Sequence, residues 1–172
     1  MKMRDLLSVE QIIPSLRAAN KQDVLSKLVA HAASTKSLAA AVLRRSVLRS
    51  DELPVFGPAI GVSLPHAFVT GLRDPLVTFA KLDPAVDFGA PDGFKTDLVA
   101  LLLSPADDAT NHLQALACLA RTLRDPFVRD MLGAASTRDS ICAILWGFEE
   151  SYWPRKPSIT ESEPSNQQSL AD

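Results

Sequence analysis

A single α/β domain, in which helices flank a mixed β-sheet, is the fold that this sequence predicts. The first observation is residues 98–103, an apolar run without polar alternation, which is typical of a central strand covered on both faces. The second is a pair of further strand-like runs at residues 61–64 and 76–82, bounded by Gly, Pro and Asp turn signals. The third is the helical spacing of apolar residues before and after these runs. Strands and helices in this order predict a layered domain.

The length and composition of the chain fit one domain followed by a tail. The chain has 172 residues, of which 47% are hydrophobic and 22% are charged, enough to build one buried core. After Trp153 the residues are mainly Pro, Ser, Glu, Gln and Asn, a composition that cannot bury enough surface to offset its ordering entropy. We therefore expect a domain over residues 1–150 and a flexible polar tail over residues 151–172.

Two helices are predicted before the first strand. Apolar residues recur at helical spacing over residues 21–33, and Asn20 with Asp23 resembles a capping box at the start of this helix. Thr35 is the predicted N-cap of a second helix that ends near Leu48. The apolar stripe of the second helix is expected to consist of Leu38, Val42, Leu43 and Val47.

Three helices are predicted after the last strand. A long one covers residues 109–125, a short one covers residues 127–132, and Ser136 with Asp139 is a capping pattern that opens a last helix through Trp146. The inward face of the long helix is expected to carry Leu113, Leu116, Ala117, Ala120 and Leu123.

The charge and the apolar runs restrict the class of partner. A formal net charge of -2 gives no reason to expect attraction to nucleic acid or to an anionic membrane. The apolar runs are far shorter than the roughly 20 residues of a membrane-spanning helix, and the N-terminus lacks the apolar core of an export signal. Cys118 and Cys142 lie in helical patterns without CxxC spacing, which favours buried thiols in a reducing compartment. We expect a cytoplasmic protein that inserts into no membrane and binds no metal.

Three histidines are the candidates for chemistry, and their positions separate them. His31 falls in the last turn of the first predicted helix, where its ring can meet exposed carbonyl groups, so a structural role is expected. His66 follows Pro65 at the end of a predicted strand, and a stiff segment entering a loop presents a nucleophilic imidazole well. His112 falls in the first turn of the helix at residues 109–125, where it can donate to an anion. From the residues alone, ordinary loop and capping roles for the last two histidines stay open.

The residues that lead to His66 form a pattern that continues downstream. A glycine, an apolar, a small and an apolar residue precede Pro-His at residues 61–66, and the segments at 87–93, 97–107 and 112–125 follow in order. This series resembles the IIA domains of the phosphotransferase system, in the mannitol/fructose/nitrogen-regulatory class. The resemblance extends over roughly residues 5–148 and implies the mannitol-type IIA fold.

By this resemblance, His66 accepts a phosphoryl group from a phosphohistidine on a small HPr-like phosphocarrier protein, and His112 assists as the second histidine of the pocket. The transfer needs no metal, nucleotide or other cofactor. The apolar neighbours Leu64, Ala67 and Phe68 would keep water from the labile P–N bond and offer a docking surface. The lack of sugar-transporter segments favours the nitrogen-regulatory branch, so regulatory target proteins are expected as further partners.

One stretch departs from the family pattern. Members usually carry an Arg-Glu pair and a Gly-Ser-Thr-Gly-like run before the Pro-His motif, whereas residues 49–57 here read RSDELPVFG. Arg49 lies about one position out of register. It is the candidate phosphate-binding cation, and a solvated arginine at a helix end is the alternative interpretation.

Two other functions are alternatives to a phosphohistidine carrier. The bulky Val55 and Phe56 favour a IIA-fold protein-interaction module with weak or no phosphotransfer. A hydrolase that uses Ser63 or Ser104 with one of the histidines has no GxSxG motif behind it.

Overall fold

The computed structural model of the protein describes residues 1–36, 39–50 and 60–152. In chain order its elements are α1 (Met3–Leu6), a 3₁₀ turn (Val9–Gln11), β1 (Ile12–Leu16), α2 (Lys21–Lys36), α3 (Ala40–Ser50), β2 (Val62–Ser63), β3 (His66–Val69), β4 (Leu76–Val86), β5 (Thr96–Pro105), α4 (Ala109–Arg124), α5 (Pro126–Ala134) and α6 (Arg138–Tyr152). Three predicted features lie outside the described residues: Leu38, residues 51–57 of the stretch that departs from the family pattern, and the tail beyond residue 152.

Within the described residues, five strands form one mixed sheet. The order is β1-β4-β5-β2, and β3 also pairs with β5. β4 and β5 are antiparallel, whereas β1 joins β4, and β2 and β3 join β5, in parallel. All residues of β5 except Asp97 are buried, which confirms the prediction that residues 98–103 form an interior strand.

Helices cover both faces of this sheet, each over its own core. Successive side chains of a strand point to opposite faces. On β5, Leu98, Ala100 and Leu102 belong to the core under α4, α5 and α6, while Val99, Leu101 and Leu103 belong to the core under α2 and α3. This arrangement confirms the predicted mixed sheet flanked by helices.

The boundary between the first two helices differs from the prediction. Asn20 caps α2 as expected, because its Oδ1 accepts the Asp23 N–H at 3.0 Å, although the Asp23 carboxylate reaches back to the Ala19 N–H. Thr35 lies inside α2, so the prediction that it caps the second helix is wrong. Its hydroxyl donates to the His31 carbonyl at 3.0 Å, a bond that a threonine can make inside a helix.

The inward faces of α3 and α4 also differ from the predicted apolar stripes. In α3, Leu43 and Val47 are buried as predicted, but Val42 is 45% exposed. In α4, Leu123 is buried as predicted, but Leu113 is 64% exposed. The buried face of α4 instead consists of His112, Ala115, Cys118, Leu119, Thr122 and Leu123. Two of these residues are polar and find hydrogen-bond partners in the interior, which a search for apolar spacing cannot detect.

Strand β1 was not predicted from the sequence. It contains Pro14, which lacks an N–H and argues against a strand interior. The structure accommodates this proline because, within the described part of the chain, β1 pairs with β4 alone, and its register is irregular between Ile13 and Leu16.

The N-terminal cap of α6 lies one residue later than predicted. The capping pair is Thr137 and Ser140, since each backbone N–H donates to the other side-chain oxygen at 3.2 Å. The prediction that Ser136 and Asp139 form this cap is therefore wrong.

Both cysteines are buried and neither forms a disulfide, which confirms the interpretation of Cys118 and Cys142 as interior thiols. Over residues 1–36, 39–50 and 60–152, the structure contains no helix long and apolar enough to cross a membrane.

Candidate functional site

His66 is the first residue of β3, and the central strand holds its backbone. The Leu102 N–H donates to the Pro65 carbonyl at 2.9 Å, and His66 lies opposite Leu102 in the parallel β3–β5 register. The expectation that His66 leaves a strand and enters a loop is therefore wrong. Leu64 and Pro65 interrupt the edge of the sheet, and β3 then resumes the pairing. A paired strand thus presents the imidazole.

Strand alternation decides which neighbours share the face of His66. Phe68 projects toward α4 with His66, whereas Ala67 and Val69 are buried in the core under α2 and α3. The structure therefore does not bring Ala67 to the site, contrary to the expectation. Leu64 is buried in the core on the α4 side.

A backbone hydrogen bond fixes the tautomer of the His66 ring. Nδ1 lies 3.0 Å from the Leu64 carbonyl oxygen. A carbonyl oxygen only accepts, so Nδ1 must carry the proton that it donates. In the neutral imidazole, Nε2 is then unprotonated and keeps an in-plane lone pair. Nε2 is therefore the ring nitrogen whose lone pair is not engaged by this hydrogen bond.

His112 lies on the buried face of α4, one turn after the helix begins. Asp108 is the N-cap, and its carboxylate accepts the Asn111 N–H at 3.0 Å. A helix donor that the sequence suggested for an anion is thus already occupied. The His112 ring is only 5% exposed, and its Nδ1 lies 2.9 Å from the hydroxyl of Ser104, a residue of β5. His112 therefore contributes its ring to the site. The Asn111 N–H at the helix end is bonded to Asp108 and is not free to bind an anion.

The two imidazoles are neighbours. The ring centroids of His66 and His112 are 5.2 Å apart, and the ring planes are inclined by 53°. Phe68 covers His112 with a centroid separation of 4.4 Å. Burial lowers the pKa of His112, and the nearby His66 ring lowers it further, since two positive charges at this separation repel each other. His112 is consequently a neutral imidazole near pH 7.

Two other predicted candidates do not join this pair, and the side chain of a third is not described. His31 lies well inside α2, and its Nε2 donates to the Glu10 carbonyl at 2.6 Å, which ties α2 to the turn before β1. The hydroxyl of Ser63 pairs with that of Thr96 at 2.9 Å. The structure describes Arg49 as part of α3 but does not describe its side chain, so its role as a phosphate-binding cation stays a prediction.

Ser104 is the residue of the site whose role sequence reasoning missed. The sequence suggests Ser104 only as a hydrolase nucleophile, but the residue is 0% exposed and no substrate can reach it. A signal existed: Ser104 is a polar residue at the end of an otherwise apolar buried run, and a buried hydroxyl needs a partner. Across the described residues, no three His, Cys, Asp or Glu side chains are grouped to hold a metal ion.

Comparison with known proteins decides the family of this chain. Residues 5–146 match the family model described as phosphoenolpyruvate-dependent sugar phosphotransferase system, EIIA 2. The chain is an EIIA type-2 domain. The family of the chain therefore agrees with the resemblance carried by residues 61–66.

Relatives of this EIIA domain include proteins of the nitrogen-regulatory branch. It is 34% identical over 145 residues to a nitrogen regulatory protein of Bradyrhizobium diazoefficiens, covering 84% of this chain and 95% of the relative. It is 26% identical to a nitrogen regulatory protein of Pseudomonas aeruginosa over 84% of this chain and 95% of that relative.

Solved structures agree on the fold. Nitrogen regulatory protein IIA-Ntr from Neisseria meningitidis superposes with a TM-score of 0.76 at 24% identity, covering 83% of this chain and 97% of that one. IIA mannitol from Escherichia coli gives a TM-score of 0.68 at 19% identity, with 81% and 98% covered. The mannitol-type IIA fold predicted from the sequence is confirmed.

Proposed function

We propose that this EIIA domain is a phosphohistidine carrier in which Nε2 of His66 accepts a phosphoryl group from a phosphohistidine on an HPr-like phosphocarrier protein. The observation that carries this proposal is the hydrogen bond from His66 Nδ1 to the Leu64 carbonyl, which leaves Nε2 as the nucleophile. The neutral His112 ring 5.2 Å away is the second supporting feature.

The transfer conserves atoms and electrons between two rings. The Nε2 lone pair of His66 forms the new N–P bond, while the P–N bond of the donor breaks and its electron pair returns to the donor nitrogen. Positive charge develops on the His66 ring because Nδ1 keeps its proton. The Leu64 carbonyl stabilises this charge, since a hydrogen bond strengthens when its donor becomes charged.

His112 stabilises the transferred group. A transferring phosphoryl group carries its charge on the equatorial oxygens, and a hydrogen-bond donor already in place costs no reorganisation. A neutral imidazole can donate through one ring nitrogen without repelling the positive charge that develops on His66. The ring of Phe68 lies over His112 and excludes water from one side of the pair.

The regulatory part of the proposal rests on a change of charge at an apolar surface. Phe68 is 45% exposed beside His112, and Leu113, which follows it in α4, is 64% exposed. Phosphorylation adds about -1.5 to -2 charges at pH 7, which would alter the binding of target proteins to this surface. The 34% identical nitrogen regulatory protein supports a nitrogen-related role.

We also propose a cytoplasmic location. Two buried cysteines without a disulfide suit a reducing compartment.

A phosphotransfer assay tests the proposal. The full chain is incubated with an HPr-like carrier that has been phosphorylated in advance, and intact mass is measured before and after mild acid. We expect the wild type to gain one acid-labile phosphoryl group and His66→Gln to gain none. His31→Gln removes a histidine that is bonded to the Glu10 carbonyl, so it serves as a control that keeps the phosphoryl group. A wild type without mass gain, beside a donor that phosphorylates another EIIA domain, would refute phosphoryl transfer.

The exposed apolar surface also favours the second candidate, a protein-interaction module with little phosphotransfer. The two functions differ in their dependence on the imidazole. If His66→Gln leaves the affinity for a target protein unchanged in the presence of the phosphorylated donor, the module is the better description. If it removes a change in affinity that the donor causes, the carrier function is supported.

A further inference from the structure

We infer that Ser104 is a positioning residue that gives His112 its role as a hydrogen-bond donor, by donating its own hydroxyl proton to His112 Nδ1. This inference rests on the proposed phosphoryl transfer to His66. It concerns a residue of β5 that lies under the site and does not itself reach the phosphoryl group.

The direction of the hydrogen bond follows from the surroundings of Ser104. Its Oγ lies 2.9 Å from His112 Nδ1 and has no other hydrogen-bond partner among the described residues. The residue is 0% exposed, so water cannot replace a missing partner. If Nδ1 donated to Oγ, the hydroxyl proton would point into the interior without an acceptor, which is unfavourable for a buried donor. If the hydroxyl donates to Nδ1, its proton has a buried acceptor.

The tautomer of His112 follows from this direction. With Nδ1 as acceptor, the proton of the neutral ring must be on Nε2. Burial lowers the pKa of His112, so the ring carries one proton rather than two near pH 7. The nitrogen that remains for the site is therefore a donor.

The two neighbouring imidazoles consequently have opposite roles. A carbonyl holds the proton of His66 on Nδ1 and leaves a lone pair on Nε2. A hydroxyl holds the lone pair of His112 at Nδ1 and leaves a proton on Nε2. One ring can attack phosphorus and the other can bind a phosphoryl oxygen. Because its lone pair is occupied by the Ser104 hydroxyl, His112 is not expected to compete with His66 as acceptor.

The ring of His112 is also held in place. Phe68 covers one face at 4.4 Å, and the Ser104 hydroxyl fixes one edge. Without that hydroxyl, a rotation of the ring about its Cβ–Cγ bond would exchange the directions of its nitrogen and carbon edges. The hydroxyl therefore sets the orientation as well as the tautomer.

The test combines nitrogen NMR of the histidine rings with the phosphotransfer assay, in the wild type, Ser104→Ala, Ser104→Thr and Ser63→Ala. Ser63 is the matched control, because it is an equally buried serine with one hydroxyl partner, Thr96, and does not contact His112. In the wild type we expect His112 to show a protonated Nε2 and an unprotonated, hydrogen-bonded Nδ1. In Ser104→Ala the Nδ1 resonance should move downfield, and phosphoryl transfer should slow about fivefold, the effect of losing one neutral hydrogen bond.

Ser104→Thr should keep the wild-type His112 Nδ1 resonance and the wild-type rate of phosphoryl transfer. Ser63→Ala should change neither the resonance nor the rate. A protonated Nδ1 on His112 in the wild type would overturn the inference. So would a Ser104→Ala variant with wild-type nitrogen resonances and a wild-type transfer rate, or a Ser63→Ala variant with the same defects as Ser104→Ala. The ring spectra are recorded on the unphosphorylated protein, so failure of the proposed function, a wild type that takes no phosphoryl group, is distinguished from failure of the tautomer assignment.

Discussion

Replacement of Gly61 by alanine measures how closely the segment before the site is packed. Gly61 has φ +74°, in the left-handed region, and its carbonyl accepts the backbone N–H groups of Asp97 and Leu98 at 2.9 and 3.1 Å. A Cβ added at Gly61 would lie 2.8 Å from Asp97 Oδ1 and 3.1 Å from Arg129 Nη2. Both side chains would have to move, which would disturb the ion pair between them at 3.7 Å.

The magnitude follows from these two effects. The left-handed conformation costs an alanine about 1–2 kcal/mol. Disturbing an exposed ion pair adds about 0–1 kcal/mol. We therefore expect Gly61→Ala to lower the free energy of unfolding by roughly 1–3 kcal/mol, and the Tm by roughly 3–10 °C for a domain of this size.

Two other glycines separate the backbone effect from the contact effect, with chemical and thermal denaturation as the assay. Gly71 has φ +83° and no atom within 4 Å of an added Cβ, so Gly71→Ala should show the backbone cost alone. Gly133 lies in α5 with the same open surroundings, so Gly133→Ala should stabilise by about 0.5–1 kcal/mol. Adding Asp97→Ala to Gly61→Ala should recover part of the loss. Equal losses for Gly61→Ala and Gly71→Ala, with no recovery in the double variant, would refute the close contact.

Three further predictions concern buried polar groups. Thr78 Oγ1 is buried without a hydrogen-bond partner in the described part of the chain, so Thr78→Val should raise the free energy of unfolding by about 1 kcal/mol in urea titrations, and a loss would contradict this. Burial raises the pKa of the Cys142 thiol to about 11, with the Asp139 and Glu10 carboxylates contributing, so a thiol reagent at about pH 8 should label it only after unfolding. Rapid labelling of Cys142 in the native protein would disprove its inertness. The pKa of His112 is lower in the fold than the unfolded value of about 6.5, so the unfolded chain binds more protons, and the free energy of unfolding should fall as pH drops from about 6.5 toward the lowered pKa. His112→Gln should reduce the slope of the free energy of unfolding against pH. Identical slopes for the wild type and His112→Gln would contradict this prediction.

The sequence was sufficient for features that depend on local composition. β5 was predicted as an interior strand because an uninterrupted apolar run is unfavourable on a strand that has one solvent-exposed face. Asn20 was predicted as the cap of α2 because a short polar side chain before an apolar pattern satisfies a free N–H. His66 and His112 were singled out by position and family resemblance, and the structure brings their rings together.

The features that were missed depend on contacts between distant residues or on a rule that has exceptions. Pro14 argued against β1, but a strand paired on one side tolerates a missing N–H. The predicted inward face of α4 was wrong because the His112 ring points to Ser104. This orientation depends on a hydrogen bond across the β5–α4 turn. Apolar spacing placed Leu113 inward, and the structure exposes it. The tautomers of the two histidines could not be predicted, because the Leu64 carbonyl and the Ser104 hydroxyl meet them only through the pairing of the sheet.

The pairing of β3 with β5 places His66 opposite Leu102 and Phe68 opposite Ser104. Because side chains alternate along a strand, adding or deleting one residue within β5 would exchange its two faces. An added residue would place Leu103 beneath His112, and a deleted residue would place Pro105 there. In both cases the serine hydroxyl would be buried without a partner under α2 and α3. Conservative substitutions in β5 preserve this geometry, whereas a change of length does not. We therefore expect related chains to differ more freely in the identities of the residues between Leu98 and Ser104 than in their number.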